Sequence, residues 1–285
     1  MEVNNKKFFY DYEDYEDGKK NASTLAAEIL SDPELPKLNM ITVGCWGESY
    51  DNPVQEILDV FVENKEKFSN IGYLFVGDMD YEECEVSWIE QGSYNALLKA
   101  WPQLKSLTIK GSQNLELGIM KHDNLESLKI ICGGLPKSVL NDIRQSELPN
   151  LKELNLYIGV ENYGFDGDIE DIAAVINNPS LKKLQYLGLG DSEIQDEIVK
   201  RVMELPLPGT LTALDFSNGT LSDIGGQCLL NHQDKLKNLK LLNLSYNFLS
   251  DKMVQKLEQL PIEKIDLSNR QKNDEEYGKF PLLTE

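Results

Sequence analysis

One spacing, L-x-x-L-x-L, sets the terms on which this chain can fold, because it keeps returning. It stands plainly at Leu151/Leu154/Leu156 and Leu239/Leu242/Leu244, and recurs at Leu104/Leu107/Ile109, Leu125/Leu128/Ile130, Leu184/Leu187/Leu189, Leu211/Leu214/Phe216 and Ile262/Ile265/Leu267. Two upstream copies, Leu38/Ile41/Val43 and Ile71/Leu74/Val76, use other aliphatic residues. The nine copies are separated by steps of 33, 33, 21, 26, 33, 27, 28 and 23 residues, a period that signals a repeat architecture. In a short strand alternate side chains share a face, so the last two apolar residues of each copy point into a core while their neighbours point out. A single copy cannot bury that edge, whereas parallel stacking of copies can. Between copies, DEIVKRVMEL is apolar at Ile198, Val202 and Leu205, and DKMVQKLEQL at Val254, Leu257 and Leu260, a helical spacing. The expected fold class is α/β: a right-handed βα superhelix with a curved parallel sheet of about nine strands on the concave face and helices on the convex face.

LDFSNGTLSDIGGQCLL and LLNLSYNFLSDKMVQKL resemble the longer repeats of ribonuclease-inhibitor-type leucine-rich-repeat proteins. The upstream phrases ITVGCWGESYDN and LFVGDMDYEECEVSWIEQG are similar to those of a bacterial leucine-rich-repeat family of unassigned activity. The resemblance covers roughly residues 38 to 270 and implies a solenoid fold without implying a mechanism. The divisions expected are an N-terminal cap at 1–37 containing a helix from Ser23 to Leu30, nine repeats at 38–270, and a C-terminal cap and tail at 271–285 in which NRQKNDEEYGKF covers the last strand edge. Ser222-Asp223 and Ser250-Asp251 are placed to cap helix starts.

The chain carries 48 acidic against 28 basic side chains, a formal net charge of −20. That field opposes nucleic-acid phosphates and anionic membrane surfaces, and suits a protein partner with a basic patch. The N-terminus has no apolar signal-peptide core, and no stretch approaches the roughly 20 apolar residues of a membrane span, so a cytoplasmic protein is expected. Cys45, Cys84, Cys132 and Cys228 are dispersed, reading as reduced thiols. Oligomeric state is left open.

Counted from the first residue of each copy, the third, fifth, seventh and eighth positions should line the concave face. Toward the N-terminus these include Met40, Thr42, Tyr73, Phe75, Ser106 and Thr108; Tyr73 and Phe75 are candidate binding anchors, unless the N-terminal segment or the following loop covers them. That loop mixes Asp78, Asp80, Glu82, Glu83, Glu85 and Glu90 with Tyr81, Val86, Trp88 and Ile89. It reads either as a recognition element, with Asp78, Asp80, Tyr81, Glu82, Glu83 and Trp88 as candidates, or as a structural loop in which Trp88 and Ile89 plug the core. Further along, the fifth positions form a polar ladder of Asn155, Gly188, Asp215, Asn243 and Asp266, of which Asp215, Asn243 and Asp266 are candidates for receiving Lys or Arg; Tyr157, at a seventh position, and Tyr186, at a third, are further binding candidates.

Catalytic constellations are scarce. His122 and His232 stand 110 residues apart, and there is no G-x-S-x-G, P-loop or strand-linked G-x-G-x-x-G. DGDIEDI at 166–172 lacks a calcium-loop frame and suits a helix start. The expectation is a protein-interaction module or scaffold, no enzyme, with no cofactor, catalytic residue or metal ligand. The competing reading is a carboxylate-based or metal-dependent hydrolase using the acidic concave residues.

Overall fold

A computed structural model describes residues 3–273 and 278–284. Among these residues the sheet has ten strands in chain order: β1 (Asn5–Phe8), β2 (Met40–Val43), β3 (Tyr73–Val76), β4 (Ser106–Lys110), β5 (Ser127–Ile131), β6 (Glu153–Gly159), β7 (Tyr186–Ser192), β8 (Ala213–Asp215), β9 (Leu241–Asn243) and β10 (Lys264–Asp266). Every adjacent pair is parallel, so each connection must leave the sheet and return, the topology of a parallel solenoid. The fourth and sixth residues of the copies point inward as their spacing predicts: Leu154, Leu156, Leu187, Leu189, Leu242 and Leu244 are fully buried.

The strand number corrects the sequence-based expectation of about nine. β1 lies in the segment without a phrase, where NKKF turns only Phe8 inward and pairs with β2 from Asn5↔Met40 to Phe8↔Val43. One inward residue leaves no periodicity to read.

After β1 come α1 (Tyr12–Tyr15) and α2 (Ala22–Ser31), which begins and ends one residue outside the expected helix. The convex layer continues through α3 (Gln55–Glu63), α4 (Asn95–Ala100), α5 (Lys137–Gln145), α6 (Ile169–Ile176), α7 (Gln195–Glu204), α8 (Asp223–Asn231) and α9 (Asp251–Leu257). Neighbouring helices pack on one another from α2 to α4 and from α5 to α9. Between these runs, the 21-residue repeat is too short for both strand and helix, and residues 111–124 instead form bridges such as Ser93↔Glu116 and Lys121↔Glu147. Ser222 and Ser250 cap α8 and α9 as their positions predict, accepting from the N–H groups of Ile224 and Met253. Asp168 caps α6 by accepting from Glu170 and Asp171 N–H, which is what DGDIEDI is for. A single buried cluster runs from Phe8 to Leu260 between sheet and helices. Among the described residues no helix is long and apolar enough to cross a membrane.

The expected covering of the last strand edge falls partly on residues 274–277, outside the described residues. The described end of the chain goes elsewhere: Leu282 donates its N–H to the Asn218 carbonyl at 2.7 Å, and Leu283 donates to Asp191 Oδ1 at 2.9 Å.

Candidate functional site

Strand register builds the concave face as continuous rows. One row reads Lys7, Thr42, Phe75, Thr108, Lys129, Asn155, Gly188, Asp215, Asn243 and Asp266; beside it Asn5, Met40, Tyr73, Ser106, Ser127, Glu153, Tyr186, Ala213, Leu241 and Lys264 stand in line. Tyr73 and Phe75 remain partly exposed, and the N-terminal segment lies beside β2 as β1, not over β3. Phe75 is flanked by two threonines, an apolar ring between hydroxyls.

The loop after β3 divides its residues between inside and outside. Met79, Val86 and Ile89 are buried, whereas Trp88 is 58% and Tyr81 73% exposed, so of the two proposed core plugs only Ile89 is one. Trp88, Tyr50, Cys84 and Glu85 line a shallow hollow, and neither Tyr73 nor Phe75 lines it. The acids hold one another's loop in shape: Asp80 Oδ1 accepts the N–H of Glu82 and of Glu83 at 3.0 Å, Glu83 accepts from Asp80 N–H at 2.9 Å, and Tyr81 donates to Glu82 at 3.1 Å. Two lysines that sequence reasoning passed over answer them. Lys7 pairs with Asp78 at 3.2 Å. Lys110 donates to the Met79 carbonyl, its pKa lowered by burial against the opposing pull of Asp78, Asp80 and Glu83. Burial, with Cys45 and Glu85 adding to it, pushes the Cys84 thiol up to about 11, the opposite of a reactive thiol.

The C-terminal half brings Tyr157, Tyr186, Asp215 and Asn243 into one neighbourhood and leaves Asp266 at the row's end. Asp215 Oδ2 accepts from Tyr186 Oη at 2.5 Å and from Asn243 Nδ2 at 3.0 Å, while Oδ1 accepts Ser217 N–H at 2.9 Å. Asn243 and Asp266 close the same turn on Ser245 and Ser268. These side chains thus serve the strand ends first. Burial and Asp215 raise the Tyr186 phenol. Tyr157 sits under Lys129, whose Nζ lies 5.6 Å from the ring centroid, and burial, with Asp191 and Asp215 adding to it, lifts its phenol to about 12.

Sequence reasoning missed the group that is chemically most unusual here. Asp191 is fully buried with a left-handed φ of 53°; Oδ1 takes the Leu283 N–H, and Oδ2 has no partner among the described residues. Burial pushes its carboxyl up to about 8, against the backbone N–H groups of Leu283 and Leu282. Its phrase position was the only signal in the sequence, since the Leu283 N–H that meets it comes from far along the chain. His122 has a structural role: its Nδ1 accepts Leu125 N–H at 3.0 Å and Nε2 faces the Trp101 carbonyl at 3.1 Å. Among the described residues no group of three or more His, Cys, Asp and Glu is arranged to hold a metal ion.

No protein-family model matches the chain, and no curated protein matches it. Among solved structures, a protein from Bacteroides fragilis is 43% identical over all of this chain and 79% of its own, with a TM-score of 0.91. More distant are an internalin from Listeria monocytogenes, 16% identical over 82% of this chain and 62% of its own at a TM-score of 0.39, and a leucine-rich-repeat protein from Leptospira interrogans, 17% identical over 84% and 80% at 0.28.

Proposed function

This chain belongs to the same bacterial leucine-rich-repeat family as the Bacteroides fragilis protein, and from that premise we propose that it is a protein-interaction module, not an enzyme, binding a partner with a basic patch. The observation that carries the reading is the rigid concave row in which Tyr73 and Phe75 stand partly exposed, followed in the chain by a loop that turns Tyr81 and Trp88 outward among Asp78, Asp80, Glu82 and Glu83. Aromatic anchors on a rigid scaffold lose little conformational freedom on binding. The net charge of −20 steers a basic partner and repels nucleic acid and anionic membranes, which fits a cytoplasmic protein. Of the two carboxylates a hydrolase would draw on, Asp215 spends both oxygens on protein donors, and Asp266 holds its own turn through Oδ1.

The test is capture of the partner from native extract, followed by calorimetry with the purified pair. Phe75→Ala with Trp88→Ala should weaken binding by at least about thirtyfold with melting unchanged, since truncating an anchor typically costs 2 kcal/mol or more. Glu82→Gln with Glu83→Gln should mainly slow association and flatten its salt dependence. If the aromatic pair is silent while Asp215→Ala with Asp266→Ala abolishes capture, recognition lies in the C-terminal stripe.

A further inference from the structure

The last described residues turn back along the solenoid. Lys279 places its Nζ 5.7 Å from the Phe248 ring centroid, Leu282 reaches Asn218, Leu283 reaches Asp191, and the Thr284 carbonyl oxygen lies only 2.4 Å from where a Cβ on Gly133 would stand. The segment thus crosses the loops that follow β9 and β8, the end of β7 and the loop that follows β5, against the order of the repeats.

Three features make this a seat for a strand. Contact is made by main-chain groups, two successive N–H donors on two fixed acceptors, while the side chains of Phe280 and Leu282 are each 51% exposed. Gly133 is not in the left-handed region, so its lack of a side chain serves clearance, and the two atoms nearest its missing Cβ both belong to Thr284. Asp191 is the third feature. At the equivalent left-handed positions the chain uses Asn218 and Asn269, which make the turn without burying an acid. A buried carboxyl whose Oδ2 finds no partner among the described residues leaves beneath the tail a polar atom that the tail does not satisfy.

We propose that Gly133, Asp191 and Asn218 form a binding site for an extended peptide segment of a partner protein, recognised through two successive backbone N–H groups, and that the chain's own residues 282–284 occupy the site until displaced. The site is separate from the Phe75 and Trp88 surface, so its test is independent of that reading. Tethering gives the resident segment an effective concentration in the millimolar range, which a partner must overcome.

A fluorescent peptide of residues 279–285 is the probe. Full-length protein carrying Leu282→Pro and Leu283→Pro loses both donors from the tail and leaves the seat intact. The peptide should bind this variant at least about tenfold more tightly than wild type, and adding Gly133→Ala should abolish binding. Binding to neither protein, or binding indifferent to Gly133→Ala, overturns the proposal. In wild type, millimolar peptide should speed hydrogen exchange at the Leu282 and Leu283 amides; unchanged exchange overturns displacement. A wild-type dimer that the double proline variant converts to monomer would also overturn it, by showing that tails are exchanged between copies.

Discussion

The eighth residue of a phrase takes the left-handed conformation repeatedly: φ is 53° at Asp191, 65° at Asn218, 56° at Tyr246 and 55° at Asn269. Asn and Asp tolerate it because their short side chains bond locally. Asp191 differs in being sealed off, and this gives it a pH signature. Its ordinary value is 3.8 and burial raises it to about 8, so below pH 4 both the sealed and the open state are protonated. Between those values only the sealed state keeps the proton, so sealing becomes less favourable as pH rises, and above about 8 the penalty levels off. Tyr157 and Cys132, both raised to about 12, stay protonated throughout that window. Asp191→Asn should therefore gain thermal stability relative to wild type progressively from pH 4 to 8; melting profiles that stay parallel would contradict the assignment. Beyond its phrase position nothing local in the sequence marks this residue, because the Leu283 N–H that meets it lies 92 positions away.

At the scale of elements, legibility followed periodicity. Strands β2 to β10 announce themselves through two apolar residues at inward positions in each copy, and α7 and α9 through their 3.6-residue spacing. β1 was invisible because Phe8 is its only buried residue. The helix-free turn at 111–124 was visible as a short step, though not the bridges that replace the helix. Of the candidate site, the positions of Tyr73 and Phe75 followed from the alternation, but the outward turn of Trp88 and inward turn of Ile89 did not, because irregular loops carry no period. The caps were legible, and their contribution is testable: Asp168→Ala removes acceptors for two helix N–H groups of α6 and should cost about 1 kcal/mol in denaturant unfolding. A change near zero would mean that water replaces the cap.

The whole molecule is one cluster of buried side chains, and a truncation at its middle tests whether repeats share their stability. Leu154, on β6, is fully buried, and Leu154→Ala should cost roughly 2 to 5 kcal/mol in a single unfolding transition. A loss below about 0.5 kcal/mol, or two separated transitions, would show that the coils on either side are independent. Stacked coils ordinarily come undone from their free ends, since the last one has a neighbour on one side only. Here the bond from Leu283 to Asp191 hooks the end of the chain onto β7, so the coils carrying β8, β9 and β10 lie within a closed ring of main chain and hydrogen bonds. Fraying at this end must first unhook the ring. Whatever takes the tail's place therefore also turns three anchored coils into a loose end, and its arrival is felt as far as β10, beyond the residues it touches.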